Sequence, residues 1–150
     1  MISEIDRALQ LALENHLGQK DKGGSPNILH PIRIMHNVNS NEEKIVALLH
    51  DIVEDTNVTL EDLHNEGFSN YVVQAVDCLT KRKGEKYQLY LQRVANNPIA
   101  RTVKMEDIKD NSNLSRIQNP SEKDYAKLEK YKKSLAFLQK NKSSSPPIVK

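Results

Sequence analysis

The segment ALLHDIVEDT, residues 47–56, joins an apolar stretch to four acidic or imidazole side chains and decides the fold. It lies within KIVALLHDIV, a run apolar enough to predict a helix at the centre of the core. His50 and Asp51 come directly after three apolar residues, where a polar side chain without a partner would cost free energy. Both are strong metal ligands. The pair could equally mark a helix end, where the helix dipole favours histidine and leaves the aspartate exposed.

Helical periodicity continues on both sides of this segment. Apolar positions three or four residues apart predict an amphipathic first helix. Its expected stripe consists of Ile5, Leu9, Ala12, Leu13, His16 and Leu17. Ser40 has capping-box spacing to Glu43, and Asn97 before Pro98 is typical of a capped helix start. Since no alternating strand pattern of useful length occurs, the sequence predicts an all-α fold, an irregular bundle of about seven to eight helices.

The composition is that of an ordinary soluble domain, with 37% apolar and 28% charged residues in a chain of 150. The formal net charge of +2 gives no overall field for nucleic acid, so we expect no nucleic-acid partner. No apolar run approaches the roughly 20 residues that span a membrane, so we expect no membrane partner. The single Cys78 excludes an internal disulfide and favours a reducing, cytoplasmic setting. The sequence does not indicate an oligomeric state.

Two further residues could complete a metal site with His50 and Asp51. Asp107 falls on the apolar stripe of its predicted helix, where an acid needs a cation, a helix end or a metal as partner. His30 precedes Pro31, a position that by itself is more typical of a capping or packing histidine. Together these four side chains offer two imidazoles and two carboxylates. Such a set suits Mn, Fe, Zn or similar divalent ions and leaves positions open for water and phosphate.

Other polar residues near these positions allow a functional or a structural interpretation. Glu54 and Asp55, one turn after the His50–Asp51 pair, could orient or deprotonate a water, or could simply form a polar helix exit. We expect Asp110 to be solvated because it falls off the stripe of Asp107, and the same holds for Glu106. Two basic clusters either form solvated surface or bind phosphates. They consist of Lys20 and Lys22, and of Lys81, Arg82, Lys83 and Lys86.

Three motifs follow one another along the chain. They are HLGQKDKGGSPNILHP at residues 16–31, ALLHDIVEDT at 47–56 and VKMEDIKDNSNLSR at 103–116. In this order and spacing they resemble the motifs of RelA/SpoT-type HD-domain (p)ppGpp hydrolases. The resemblance is to the small stand-alone forms, including the metazoan SpoT homologue, and covers residues 16–116. ALLHDIVEDT is its most specific part, because plain HD enzymes generally lack the trailing Glu-Asp.

The resemblance implies an HD-type metal-dependent phosphohydrolase domain over residues 1–140, followed by a flexible tail at 141–150. It implies one divalent ion, Mn²⁺ by preference, and removal of the 3′-pyrophosphate from ppGpp or pppGpp to give GDP or GTP. The implied metal ligands are His30, His50, Asp51 and Asp107. Glu54 and Asp55 would activate and position the water, and the residues nearest the nucleotide substrate would be Lys20, Lys22 and Asn111.

The chain departs from the family pattern mainly on the nucleotide side. Asn27 stands where the family has an aromatic residue, the usual Arg-Lys of the loop is reduced to Lys20-Asp21-Lys22, and Glu106 replaces an alanine. An HD-type enzyme for another nucleotide or phosphoester is therefore one alternative. A non-catalytic alarmone-binding regulatory module is another, against which the retained Glu54–Asp55 pair argues. A helical protein whose polar pairs are only caps would bind no metal.

Overall fold

The computed structural model describes residues 2–141, and this part of the chain is all-α, as predicted. Its helices are α1 (Glu4–His16), α2 (Leu29–His36), α3 (Asn41–Leu49), α4 (Ile52–Asp55), α5 (Leu60–Asn65), α6 (Asn70–Leu79), α7 (Tyr87–Ala95), α8 (Pro98–Asn111) and α9 (Glu122–Lys140). A 3₁₀ turn, Leu114–Arg116, separates α8 from α9. Positions 142–150 of the predicted tail lie outside the described residues. No helix within residues 2–141 is long and apolar enough to cross a membrane.

Side-chain caps fix where several helices begin. The hydroxyls of Ser3, Ser40, Thr59 and Ser121 each accept a hydrogen bond from a backbone N–H three residues further on, in complete capping boxes. Asn97 caps α8 in the same way, ahead of the predicted proline at the helix start. Each cap satisfies backbone donors that the helix leaves unpaired and is worth about 1 kcal/mol. The predictions made from Ser40 and Asn97 are confirmed.

Helix α3 is the central element of the core. Its residues from Ile45 to Leu49 are all buried, and it packs against α1, α2, α6 and α8. The predicted single helix over KIVALLHDIV is divided into α3 and α4 in the structure. The division falls at Asp51, whose backbone (φ −116°, ψ 10°) leaves the α-helical region. The polar His50–Asp51 pair therefore lies at the junction of α3 and α4, directly after the buried residues of α3.

Helix α1 packs through a narrower stripe than its leucines suggest. Ala8, Ala12 and His16 are buried, whereas Leu9, Leu13 and Leu17 are 37%, 46% and 77% exposed. Small alanine side chains let α1 lie close against α3, and the leucines fall on the neighbouring, uncovered face. The prediction that these leucines belong to the core-facing stripe is wrong, and the prediction for Ala12 and His16 is confirmed.

Candidate metal centre

Three of the four predicted metal ligands converge in the structure, each carried by a different part of the helical scaffold. His30 lies in the first turn of α2, His50 follows α3, and Asp107 lies in the C-terminal half of α8. Nε2 of His30 lies 2.8 Å from Oδ1 of Asp107, and Nε2 of His50 lies 3.4 Å from the same oxygen. One ligand atom from each residue falls within 4.8 Å of the others, so the group could hold a metal ion.

Both histidines are oriented by a bond to the other ring nitrogen. Nδ1 of His50 lies 2.7 Å from the carbonyl oxygen of Ala47, and Nδ1 of His30 lies 2.6 Å from Oδ2 of Asp110. A carbonyl oxygen can only accept, so Nδ1 of His50 carries the proton and Nε2 faces the other ligands. Metal-binding histidines usually have this arrangement, in which an acceptor on one nitrogen sets the ligating one. The donor set therefore fits a divalent cation.

The fourth predicted ligand, Asp51, lies beside these three at a longer distance. Its Oδ2 is 3.8 Å from Nε2 of His50, and its Oδ1 is 3.4 Å from Nε2 of His16. Asp51 Oδ1 and His16 Nε2 are both buried without a hydrogen-bond partner. Burial raises the pKa of Asp51, but the adjacent His50 and His16 outweigh it and lower the pKa to about 2. Asp51 is thus held as a carboxylate beside the centre, with Oδ2 facing His50 and with a buried Oδ1 that lacks a hydrogen-bond partner, as suits a metal ligand.

The Asp107 carboxylate contacts both histidines through one oxygen and the Lys104 ammonium through the other. Its Oδ2 accepts a hydrogen bond from Lys104 Nζ at 2.9 Å, and its Oδ1 accepts one from Asn111 at 3.2 Å. Burial raises the pKa of Asp107, but Lys104 and the two histidines hold it well below its usual value. Lys104 was not predicted from the sequence, although it lies three residues before Asp107 on the same helix.

Asp110 is more buried than its place in the sequence predicts. The prediction that it is solvated is wrong, because its side chain is only 12% exposed and lies against His30. Arg33 donates to both of its oxygens, from Nε at 2.9 Å and from Nη2 at 3.0 Å. The helical repeat explains the error, because a residue three positions beyond Asp107 shares its face of α8. Glu106 is also less exposed than predicted, because its side chain is only 19% exposed and forms an ion pair with Lys109.

The predicted water-activating pair lies on α4, one turn beyond the metal centre. Oε1 of Glu54 accepts a hydrogen bond from the backbone N–H of Lys81 at 2.5 Å. Both carboxylates line an open depression with the basic loop at Thr80–Gly84. Burial first, and then the charge of Asp51, raise the pKa of Asp55 above its ordinary value. Neither Glu54 nor Asp55 is among the three converging ligands.

Comparisons with known proteins agree with this geometry. No protein-family model matches the chain. It is 34% identical over 120 residues to the guanosine-3′,5′-bis(diphosphate) 3′-pyrophosphohydrolase of Aquifex aeolicus, covering 72% of this chain and 17% of that protein. It is also 34% identical over 145 residues to the GTP pyrophosphokinase of Streptomyces coelicolor, covering 88% of this chain and 16% of that one. The chain belongs to the RelA/SpoT HD-type hydrolase family.

A solved structure shows the same fold at nearly full length. It is that of a metazoan ortholog of SpoT described as hydrolysing ppGpp, with a TM-score of 0.75 and 21% identity. The alignment covers 98% of this chain and 89% of that one. The curated relatives are far longer, and the chain spans 17% and 16% of the two named above.

In this member of the family, an open pocket adjoins the metal centre on the His30 side. Its lining includes Lys22, Asn27 and Asn111. Lys22 forms an ion pair with Asp124 at the start of α9, and the side-chain amide of Asn27 donates to Gln19. Lys20 is exposed and is not among the lining residues. The structure therefore brings Lys22 and Asn111 to the pocket and leaves the predicted Lys20 outside it.

Proposed function

We propose that the chain is a metal-dependent (p)ppGpp 3′-pyrophosphohydrolase. The observation that carries the proposal is the convergence of Nε2 of His30, Nε2 of His50 and Oδ1 of Asp107, with both Nδ1 atoms bound to acceptors. The activity for which the Aquifex aeolicus relative is named supports the choice of substrate. The metal would be Mn²⁺, one of several divalent ions that a set of imidazole and carboxylate ligands can hold, with Asp51 as the fourth ligand.

The reaction needs one water per nucleotide. Bound Mn²⁺ would supply a Lewis acid that polarises the phosphoryl group and lowers the pKa of water. Glu54 or Asp55 takes the proton of that water, and the raised pKa of Asp55 suits a group that accepts and returns a proton. The water oxygen forms a bond to the phosphorus that is attached to the 3′ oxygen of the nucleotide. The bond between this phosphorus and the 3′ oxygen breaks. The 3′ oxygen keeps the electron pair and is protonated, which yields GDP or GTP and pyrophosphate.

The nucleotide would lie in the open pocket beside His30, which is lined by cationic and amide side chains. Lys22 would bind substrate phosphates after exchanging its ion pair with Asp124, and Asn111 would contact the nucleotide while holding Asp107. Lys20, which is exposed and outside the pocket lining, would contribute a second positive charge at longer range. Long-range attraction of this kind concentrates an anionic substrate near the site.

Hydrolysis of ppGpp by the purified protein with Mn²⁺ tests the proposal. Products are separated by anion-exchange chromatography, and Glu54→Gln serves as the control that retains the metal ligands. We expect GDP and pyrophosphate in equal amounts and their loss in Glu54→Gln. Release of orthophosphate, or no turnover by metal-loaded protein, would contradict the assignment.

A second candidate keeps the chemistry and changes the substrate to another nucleotide or phosphoester. Asn27 favours it, because this pocket residue carries an amide committed to Gln19 where the family has an aromatic ring. A panel of nucleotides with guanine, adenine and pyrimidine bases separates the candidates by their relative kcat/KM values. Tight ppGpp binding without turnover of any panel member would instead identify a non-catalytic alarmone-binding module.

A further inference from the structure

His30 lies between two carboxylates that both belong to helix α8. Its Nε2 is 2.8 Å from Oδ1 of Asp107, and its Nδ1 is 2.6 Å from Oδ2 of Asp110. The imidazole is 12% exposed, and the two aspartates are 7% and 12% exposed. Because the aspartates are three residues apart on one helix, a single rigid element sets both sides of the ring. A rotation of His30 about its side-chain bonds would break both contacts.

Asp110 is itself held in place by arginine. Arg33, one turn after His30 on α2, donates from Nε to Oδ1 and from Nη2 to Oδ2 in a two-pronged arrangement. Nη2 of Arg116, in the 3₁₀ turn, donates to the Asp110 carbonyl oxygen at 2.9 Å. A planar guanidinium that engages both carboxylate oxygens fixes orientation as well as charge. Both carboxylate oxygens of Asp110 are thus engaged in hydrogen bonds to Arg33 and His30. Asp110 can therefore influence the metal centre through its contact with His30.

We propose that Asp110 is a positioning residue for the metal ligand His30, and that Arg33 fixes Asp110 in that role. The inference rests on the proposed metal-dependent function and adds a residue to it. Asp110 accepts a hydrogen bond from the protonated Nδ1 of His30 and so keeps Nε2 directed at the metal. The same hydrogen bond makes the imidazole a stronger electron-pair donor to the metal. Arg33 balances the added negative charge, so the carboxylate can remain buried beside the ring.

The chain contains a matched control for this pair. The Glu85 side chain is also 12% exposed, and Arg93 donates to both of its oxygens, from Nε at 2.8 Å and from Nη2 at 2.8 Å. Asp110 differs in having a second arginine, since Nη2 of Arg116 lies 3.4 Å from its Oδ2. Glu85 lies in the loop between α6 and α7, where its side chain accepts hydrogen bonds from Arg93 and from the backbone N–H of Arg82. Within residues 2–141 it has no hydrogen bond to any of the four proposed metal ligands. Glu85→Gln and Asp110→Asn each remove one charge from a half-buried arginine–carboxylate pair. Only the second pair adjoins His30.

Calorimetric titration of metal-free protein with Mn²⁺ compares the wild type with these two variants. Loss of a carboxylate behind a metal-binding histidine typically costs about 10- to 100-fold in metal affinity. We therefore expect Asp110→Asn to raise the Mn²⁺ Kd by about that factor and Glu85→Gln to leave it within about twofold. Arg33→Gln should raise the Kd by a smaller factor, because Asp110 remains but loses its clamp. Thermal unfolding in EDTA checks that all three variants are folded.

The outcomes separate this inference from the function on which it rests. Wild-type protein that binds no Mn²⁺ overturns both. Tight binding by the wild type and equal binding by Asp110→Asn overturn only the role of Asp110. Equal weakening in Asp110→Asn and Glu85→Gln also overturns it, because the effect is then one of general stability.

A measurement on the unmodified chain covers the case in which Asp110→Asn does not fold. Long-range ¹H–¹⁵N NMR of Zn²⁺-loaded wild-type protein reports which ring nitrogen of each histidine carries the proton. We expect His30 to carry it on Nδ1, in slow exchange because the proton is bonded to Asp110. A proton on Nε2, with the metal at Nδ1, would overturn the inference.

Discussion

The metal centre and the adjoining pocket are built in different ways. The converging ligands His30, His50 and Asp107 come from α2, the end of α3 and α8, and their side chains are 12%, 6% and 7% exposed. The pocket shares His30 with this centre and has further lining residues from α2, α8 and α9, but its other side is formed by the loop at 21–27 and by the 3₁₀ turn. Lys22, on that loop, is 56% exposed at its side chain. The centre is therefore fixed by helix packing, whereas the pocket also depends on loops.

Under the proposed function, this difference would place the chemistry and the choice of substrate in different parts of the molecule. A ligand on a packed helix is held within the narrow tolerance that metal binding requires, and a neighbouring change is felt by the core. Loop residues can change with little cost to the fold. The departures at Asn27 and at Lys20-Asp21-Lys22 fall in the loop region. The predictions below test whether the two regions are as separate as their construction implies.

The largest effect is expected from Asp107→Asn at the metal centre. The change removes the charge that binds Lys104 and faces two histidines, so we expect loss of Mn²⁺ binding and of all turnover. Leaving Lys104 unpaired should also lower the free energy of unfolding by about 3–5 kcal/mol. Titration calorimetry and urea unfolding measure the two effects.

Asp77→Asn, at a helix aspartate with a 41% exposed side chain, is the control and should change neither quantity. Asp51→Ala should also abolish Mn²⁺ binding, which tests the proposed fourth ligand. Tight metal binding by either centre variant would refute its assignment as a ligand.

Next in size is Glu54→Gln, which should separate chemistry from metal binding. General-base catalysis contributes about 10²- to 10⁴-fold, so we expect kcat to fall by that range while the Mn²⁺ Kd stays unchanged. The amide can still accept the hydrogen bond from the Lys81 N–H, so the local fold is retained. Steady-state kinetics with parallel metal titration make the measurement. A parallel fall in metal affinity would place Glu54 among the ligands instead.

Sequence reasoning predicted the helix-borne centre better than its supporting residues. His50 and Asp51 stand out because two polar residues interrupt an apolar helix, and Asp107 because it falls on an apolar stripe. The supporting roles of Asp110 and Lys104 were not predicted, because a charged residue beside such a stripe is usually solvated. Their burial depends on the packing of α8 against α2 and other helices. The sequence pattern of a single helix carries no information about such tertiary contacts. For the same reason, the pattern predicts Leu9 and Leu13 in the core, whereas the structure leaves them 37% and 46% exposed.

A smaller, pH-dependent effect should appear in the metal-free protein. Burial lowers the pKa of His50, but Asp51 and Asp107 outweigh it and raise the pKa to about 9. A folded-state pKa above the unfolded value of about 6.5 stabilises the protein below pH 6.5, and this stability is lost as the pH rises through 9. We therefore expect Tm in EDTA to fall between pH 6.5 and 9, by about 2–4 °C for each kcal/mol lost.

The Mn²⁺-loaded protein is the control for that titration. Metal and proton compete for the histidine, so metal binding should strengthen over the same pH range and oppose the fall in Tm. Scanning calorimetry at several pH values, with and without Mn²⁺, measures both curves. A metal-free Tm that is constant or rises from pH 6.5 to 9 would contradict the charge assigned to His50.

The smallest effect is expected in the loop region, from Lys22→Gln. Lys22 lines the pocket, but its side chain is 56% exposed, so solvent and salt screen its charge. We therefore expect KM to rise by about two- to fivefold with kcat unchanged, as for a residue that binds substrate and transition state equally. Lys20→Gln removes the same charge from a position outside the pocket lining and should raise KM less. Steady-state kinetics at fixed ionic strength compare the two variants. If Lys22→Gln lowered kcat instead, the loop would take part in transition-state stabilisation, and the division between a catalytic centre on helices and a binding region on loops would fail.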